Sequence, residues 1–319
     1  MKAIVYTKYG SPDVLELKEV PKPIPKDDEI LVKIYASAVS TGDARLRRAD
    51  PFFIRLFFGI LKPNLPILGG SLAGEIESVG KNVSRFKAGD QIFASTGRNM
   101  RTHAEYTTLS EDGLIAFKPK NISYEEIACI PFGDATSYYF LKKANIQAGQ
   151  KLLIIGASGS LGVAAVQLGK YFGAEVHAVC STANVDLVKS LGAVRVFDYT
   201  SEDFIESGES YDIIFDTVGK MSVKEFLKVL SKNGQLILAA GLIAQMLQGA
   251  WASLTKKVKI LAGEMKESRA DMEFLASLYE RGEMRAVIEK TYSLEEAREA
   301  HRLVDSGRKK GNVILSIHQ

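Results

Sequence analysis

Lys151-Leu-Leu-Ile-Ile-Gly156-Ala-Ser-Gly159-Ser-Leu-Gly162 is the stretch on which the fold turns. Five residues with the pattern of a buried strand run into glycines and small residues, and then into a helical pattern over 162–172. Small residues let a backbone turn sharply and approach a diphosphate, and the helix that follows offers unpaired N–H groups and the positive end of its dipole. The spacing is G-x-x-G-x-x-G rather than the commoner G-x-G-x-x-G, and a tight β–α turn without a ligand is the plainer alternative. The setting favours dinucleotide binding: strand, turn, helix, then a second strand over 175–180. The candidate cradle is Gly156, Ala157, Ser158, Gly159, Ser160, Leu161 and Gly162.

Downstream of the turn, apolar strands over 194–197, 211–215, 235–239 and 259–262 alternate with helices over 183–191 and 223–230. Near-continuous apolar strands separated by helices predict a parallel sheet covered on both faces, a doubly wound α/β domain. Upstream, short runs rich in Val, Ile and Tyr over 2–6 and 29–35 are punctuated by Pro21, Pro23 and Pro25 and by glycines at 69, 70, 74, 80 and 89. That texture predicts a barrel-like β domain. The change comes near 122, where Ser123 and Glu126 spell a helix-capping box. The tail returns to helix over 271–281 and 294–304, and to strand over 312–317.

The end of the second strand of the α/β domain bears on the cofactor. NAD-binding folds usually place Asp or Glu there to grip the ribose 2′-OH. Here the chain reads Cys180-Ser181-Thr182-Ala183-Asn184, with no carboxylate until Asp186. The missing carboxylate removes repulsion against a 2′-phosphate, and Ser181 and Thr182 can donate to it or simply cap the helix. NADPH is the expected cofactor.

Composition narrows the field. Of 319 residues, 46% are hydrophobic and 25% charged, which excludes wholesale disorder and a polytopic membrane protein. No run reaches the roughly 18–20 apolar residues of a membrane span, and the first residues lack the apolar core of a secretory signal. Forty-one basic against 38 acidic side chains give a net charge of +3, too small an excess to argue for nucleic acid. Two cysteines about fifty residues apart, Cys129 and Cys180, form neither a disulfide framework nor a zinc cluster, and a cytoplasmic location is expected.

Taken together, these motifs resemble the medium-chain dehydrogenase/reductase family, in its zinc-free quinone oxidoreductase (zeta-crystallin-like) branch. The resemblance runs from Met-Lys-Ala-Ile at the start through Leu72-Ala-Gly-Glu-Ile-Glu-Ser-Val-Gly80, Lys87-Ala-Gly-Asp90 and His103-Ala-Glu-Tyr106. It continues through Ile130-Pro-Phe-Gly-Asp-Ala-Thr-Ser-Tyr138, the glycine turn and Asp216-Thr-Val-Gly219. It implies a GroES-like β-barrel domain over 1–121 and 267–319 interrupted by a Rossmann doubly wound parallel-sheet domain over 122–266, with a substrate cleft between them, and a homodimer. Zinc alcohol dehydrogenases of the family need Cys and His ligands, and catalytic zinc needs three protein ligands with an open position. This chain carries Ser40 in the cysteine-bearing segment and Gly69-Gly70-Ser71 where the family has Gly-His-Glu, and it lacks the four-cysteine structural lobe. No metal is therefore expected.

The family's Asn-x-x-Asp segment reads Ser40-Thr-Gly-Asp43-Ala-Arg45, with Ser in place of Asn. Ser40, Asp43 and Arg45 are the candidate catalytic residues. Arg45 is a candidate clamp for negative charge on oxygen, against an alternative of surface ion pairing with Arg47, Arg48 or Asp50; for Asp43 the alternative is helix capping. The resemblance also assigns Thr136, Tyr199 and Asn312 to the cofactor, while Val218, Gly219, Ala240, Gly241 and Leu242 follow later strands at the carboxyl edge where doubly wound sheets bind ligands, with ordinary turn glycines as the alternative. Ala183 replaces the usual basic residue for the phosphate, leaving Lys189 or Arg195 to supply it. His103, a lone histidine, is read as structural.

The apolar run 52–61, Phe-Phe-Ile-Arg-Leu-Phe-Phe-Gly-Ile-Leu, has three readings: a packed helix, a lid over the substrate, or a membrane-surface helix. The first two are favoured, because Arg55 is its single basic residue. Met246, Leu247 and Trp251 form a second apolar stretch, for core, cleft or subunit contact. The implied activity is NADPH-dependent, zinc-independent reduction of quinones or α,β-unsaturated carbonyls, with a small hydrophobic acceptor as partner. Metal-free reduction of saturated aldehydes or ketones, and a non-catalytic NADPH-binding redox sensor, are the alternatives.

Overall fold

A computed structural model describes residues 1–240 and 258–318. The chain divides into two compact units, one of Met1–Phe132 with Ser268–Gln319, the other of Gly133–Glu267. Gly241, Leu242, Met246, Leu247 and Trp251 lie outside the described residues.

The first unit opens with β1 (Lys2–Val5) and β2 (Glu16–Glu19), an antiparallel pair. A second sheet follows from β3 (Glu29–Ala38), β4 (Ser71–Val79), β5 (Gln91–Ser95), β6 (Tyr106–Ser110) and β7 (Leu114–Phe117), all antiparallel to their neighbours. Strand β3 runs three residues past its expected end at 35. The small residues Ala36, Ser37 and Ala38 extend it because all three pair with the last strand of the chain, and Ala36 and Ser37 also pair with Ala73 and Leu72 of β4. The segment 122–132 packs with this unit, where the Tyr124 ring stacks on Tyr35 at 4.4 Å between centroids.

The second unit is one parallel sheet. Its strands are β8 (Lys151–Ile155), β9 (Glu175–Cys180), β10 (Arg195–Asp198), β11 (Tyr211–Asp216), β12 (Leu230–Leu238) and β13 (Lys259–Ala262). Their spatial order is β10-β9-β8-β11-β12-β13, so the chain winds outward from β8 to one edge, returns, and winds outward to the other. The reversal between β8 and β11 is the switch point at which such sheets bind ligands. The helix expected over 223–230 is a single turn, Val223–Phe226, because β12 begins at Leu230 opposite Tyr211 and slips register before Gln235 pairs with Ile213. The core between sheet and helices is mainly apolar, with Leu153, Phe197, Tyr211, Phe226 and Leu236 buried, and it encloses His177, whose Nδ1 lies 3.1 Å from Tyr211 Oη.

The chain then re-enters the first unit through the helix Arg269–Glu280, capped by Ser268, and through β14 (Ile288–Ser293), the helix Ala297–Asp305 and β15 (Asn312–Ser316). Strand β15 completes the larger sheet against β3.

The run 52–61 does not form a packed helix, one of its two favoured readings. One tight turn, Phe52–Ile54, and one α-turn, Arg55–Phe58, are all that form. Only Ile54 and Phe58 turn toward the core of the first unit. Four residues make one turn, and one turn cannot bury two faces.

Candidate functional site

In the second unit every described candidate cofactor residue except Asn312, which lies in the first unit, falls at the carboxyl edge of the sheet or beside the first helix. Gly156 follows β8 with φ +78°, a left-handed conformation; a side chain there would also collide with Val218 Cγ2 at 2.4 Å and Thr217 Oγ1 at 2.7 Å. The N–H groups of Gly156 and Ala157 donate back to Val179 O, which pins the start of the turn. Gly159 is the N-cap of the helix Ser160–Tyr171, and Val163 N–H, one turn on, donates to Gly159 O at 2.9 Å. The amides of Leu161 and Gly162, in that first turn, have no acceptor within the helix.

The glycines of the turn serve different ends. At Gly162 a Cβ would stand 2.2 Å from Gly156 O and 2.6 Å from two backbone atoms of Ala157, so glycine is required by the fold itself. At Gly159 the backbone is ordinary, φ −79°, and a Cβ would meet a single atom, Gly156 O, at 3.6 Å. Nothing within the unit requires glycine at 159. The space beside it, at a helix N-terminus, fits a diphosphate.

Beside this turn, Val218 and Gly219 are held by the buried Asp216, whose carboxylate accepts both their N–H groups at 2.9 and 3.1 Å. Thr217 Oγ1 donates to Ile155 O at 2.8 Å and so ties the ends of β8 and β11 together. On the other side Gly133 abuts Ser160, and Ser137 donates to Leu161 O at 2.8 Å. Thr136, one residue earlier in that helix (Ala135–Ala144), places its hydroxyl 3.2 Å from Met265 Sδ. Ala240 follows the end of β12.

The ribose end is organised by a residue that sequence reading missed. Asn184 is buried, and its Nδ2 donates to Ser158 Oγ at 3.0 Å and Ser181 Oγ at 3.2 Å. It bridges the phosphate turn to the end of β9. Because both hydroxyl oxygens accept from Asn184, both hydroxyl protons are left to donate to another acceptor. The Ser-Thr-Ala-Asn run carried the signal, since an asparagine at a helix start usually bonds locally. A second missed feature is Asp198 at the end of β10. Hydrogen bonds from Thr182 and Thr200 hold its carboxyl below the usual range, and Thr182 Oγ1 also lies 3.0 Å from Thr200 Oγ1. Tyr199, next to it, is exposed. Arg195 does not reach this edge: it opens β10 at the amino end, where its guanidinium pairs with Glu209 at 2.9 Å and lies over Phe197. Lys189 is exposed on the second turn of the helix Val185–Leu191.

In the first unit, Ser40 caps the helix Thr41–Arg48. Its Oγ accepts from Asp43 N–H, while the buried Asp43 carboxylate accepts from Ser40 N–H at 2.8 Å and Ser40 Oγ–H at 2.5 Å. The other Asp43 oxygen accepts from Gly69 N–H at 2.9 Å. Both residues are engaged in holding the helix and the 69–70 turn. Arg45, half-buried on the same helix, has no carboxylate partner among the described residues. Its neighbours take the available acids: Arg47, wholly buried, meets Asp305 at 2.5 Å, and Arg48 meets Asp305 and Asp50. Asn312 opens β15 in this unit, with its amide nitrogen 3.3 Å from Val287 O.

Beneath this helix lies a buried pair of imidazoles. His103 and His301 meet edge to face at 5.6 Å, and neither ring nitrogen of His301 has a partner among the described residues. Burial lowers both pKa values, that of His301 furthest, with Asp43 partly opposing the shift at His103. Both are structural. His301 belongs to no motif and is brought to His103 only by tertiary packing. Among the described residues no group of three or more His, Cys, Asp or Glu side chains could hold a metal ion. Cys129 and Cys180 are buried, and burial pushes the Cys180 thiol up to about 11.

A six-stranded parallel sheet with a glycine-lined turn beside its switch point defines a dinucleotide-binding protein. Residues 26–146 match the alcohol dehydrogenase GroES-like domain and residues 191–315 the zinc-binding dehydrogenase domain. The 2-methylene-furan-3-one reductase of Solanum lycopersicum is 32% identical over 99% of this chain and 79% of its own. The chloroplastic NADPH-dependent alkenal/one oxidoreductase of Arabidopsis thaliana is 32% identical over 76% of this chain and 63% of its own. The quinone oxidoreductase structure from Coxiella burnetii superposes with a TM-score of 0.92 at 26% identity, covering 100% of this chain and 99% of its own. The chain belongs to the medium-chain dehydrogenase/reductase family, in its quinone oxidoreductase branch.

Proposed function

We propose that this chain is an NADPH-dependent, zinc-independent reductase of quinones or α,β-unsaturated carbonyls. The observation that carries the reading is the open side of Gly159, where the fold tolerates a side chain and a bound diphosphate would not. The names of the relatives, a 2-methylene-furan-3-one reductase, an NADPH-dependent alkenal/one oxidoreductase and a quinone oxidoreductase, all denote electron-poor carbonyl acceptors. NADPH, when bound, supplies a hydride. The protein's part is to hold and orient. The first-turn amides beyond Gly159 hold the diphosphate, and Ser158 and Ser181, with protons directed outward by Asn184, donate to the ribose 2′-phosphate. Arg45, with no carboxylate to neutralise it, stabilises negative charge on the acceptor oxygen. Ser40 and Asp43 position the helix that carries Arg45. The segments that hold zinc in other family members present Ser40 and Gly70 here, neither a metal ligand in such sites.

A homodimer and a cytoplasmic location complete the proposal, the latter supported by two buried cysteines that form no disulfide. The deciding experiment is NADPH oxidation against a panel of quinones, enones and saturated aldehydes. Turnover of the first two alone supports the reading. Turnover of saturated aldehydes, or NADPH binding with no turnover of any acceptor, overturns it.

A further inference from the structure

Thirteen large apolar side chains are exposed among the described residues, and six of them fall between 52 and 61. Phe52 and Phe57 are 71% exposed, Leu56 69%, Ile60 63%, Leu61 91% and Phe53 43%. This is not a loose loop. Tyr9 Oη donates to Phe58 O at 3.0 Å and Gly59 O at 2.7 Å, and Asn64 N–H donates to Phe58 O at 2.7 Å. The Arg55 guanidinium lies 4.8 Å from the ring centroids of both Tyr9 and Phe52. Ile54 and Phe58 anchor the inner side on the core of the first unit. The fold therefore builds a fixed platform and turns its apolar face outward, against the hydrophobic effect, which calls for a partner that removes that face from water.

Charge decides which partner. Arg55 and Lys62 stand within and beside the patch without carboxylate partners among the described residues, and Asp50 is the only exposed acid between 45 and 62. In a two-fold contact each of these cations would approach its own copy or an equivalent one, with no exposed acid but Asp50 to offset them. An anionic lipid surface instead matches both features: acyl chains take the phenylalanines, leucines and isoleucine, and headgroups take the cations. Ten residues are too few to span a bilayer, so the contact is with one leaflet.

We infer that the turn at 52–61 is a membrane-docking element by which this protein rests on anionic bilayers. The inference does not depend on the proposed activity, since its primary readout is binding. Full-length protein is sedimented with phosphatidylcholine vesicles containing about 30% phosphatidylglycerol and with pure phosphatidylcholine vesicles, at low and high salt. Parent protein should partition onto the anionic vesicles, more weakly in high salt. The double variant L56S/F57S should lose roughly tenfold or more of that partition while keeping the parent's melting temperature and its turnover of a water-soluble acceptor. Both residues face solvent, so folding should be unaffected, and the single change K62E gives a second reading free of apolar loss. Equal partition of parent and both variants would overturn the inference. So would absence of vesicle binding, including the case where sedimentation velocity shows that L56S/F57S instead abolishes self-association.

Discussion

Replacing Gly159 and Gly162 by alanine, one at a time, separates what the fold needs from what the ligand needs. At Gly162 the new methyl would lie 2.2 Å from Gly156 O and 2.6 Å from Ala157 Cα and C. All three are backbone atoms, so the turn must move by about 1 Å to restore van der Waals distance, at an overpacking cost of about 1–3 kcal/mol. Alanine's better helix propensity returns about 1 kcal/mol. Gly162→Ala should therefore unfold at modestly lower urea. Its displaced turn amides should lose most of a charge-assisted contact of about 1.5–3 kcal/mol, roughly 10- to 100-fold in NADPH affinity. At Gly159 the methyl would meet Gly156 O at 3.6 Å, an ordinary contact, with φ −79° acceptable to any residue. The poorer N-cap and the stiffer unfolded chain roughly cancel, so stability should stay within about 1 kcal/mol of the parent. The methyl would nevertheless occupy the space assigned to the diphosphate, and NADPH affinity should fall at least about tenfold. Fluorescence titration of NADPH and urea unfolding read the two effects independently. If Gly159→Ala binds NADPH within a factor of two of the parent, no phosphate approaches that turn and the cofactor reading fails.

Arg45→Ala should lower kcat about 100-fold, roughly 3 kcal/mol of transition-state stabilisation, with the NADPH Kd unchanged; Arg45→Lys should restore part of the rate, and a parental kcat for the alanine variant would reduce Arg45 to a surface charge. Ser181→Asp should shift kcat/KM toward NADH, since its carboxylate repels a 2′-phosphate and accepts from a 2′-OH; unchanged selectivity would remove Ser181 from the ribose site. His103, His177 and His301 all have native pKa values below the ordinary 6.5. The unfolded chain therefore binds protons that the native chain does not as pH falls through about 6.5, and stability, full above that pH, should drop by up to about 4 kcal/mol per pH unit below it. Urea unfolding from pH 7.5 to 5 measures that slope, which His301→Leu should cut by about a third; a slope unaltered in the variant would show that His301 is not the group being protonated.

The parallel sheet was legible because its strands are buried on both faces and so read as unbroken apolar runs. Five of the six expected strands in the second unit lie within two residues of their observed ends. The exception is β12, where Ser231-Lys-Asn-Gly234 contains Asn233 at φ +68° and reads as a turn, yet Leu230 still pairs with Tyr211 across a register slip. The helix expected at 223–230 failed for the same reason. Its last residue, Leu230, is taken by the strand while Val223 and Phe226 stay in the single turn, and pairing in a sheet is a tertiary fact that local periodicity does not hold. Helix starts were misplaced by a turn or less wherever the capping residue was not weighed: Ser268 starts a helix at 269 rather than 271, and Gly159 starts one at 160 rather than 162.

Legibility of the candidate site follows the distance over which its chemistry is assembled. The phosphate turn is local, and a contiguous motif reveals it. The Asn184 bridge joins residues 26 apart across two β–α turns, so its parts were visible but the bond was not. The support beneath Arg45 is assembled from across the chain: Asp43 bonds Gly69, Arg47 bonds Asp305, and His103 meets His301. No spacing rule links those positions, because the intervening unit can vary without disturbing their contact. The same separation explains why Arg45 looked ambiguous in sequence. It sits among Arg47, Arg48 and Asp50, and only the arrival of Asp305 from the chain's far end shows which arginines are neutralised. With Asp305 shared between Arg47 and Arg48, the helix is anchored by two of its arginines and left with the third uncompensated. An arginine left without a counter-charge on a helix fixed at both ends is the kind of group that can meet new negative charge without first breaking a bond or moving the backbone, which is what electrostatic preorganisation requires.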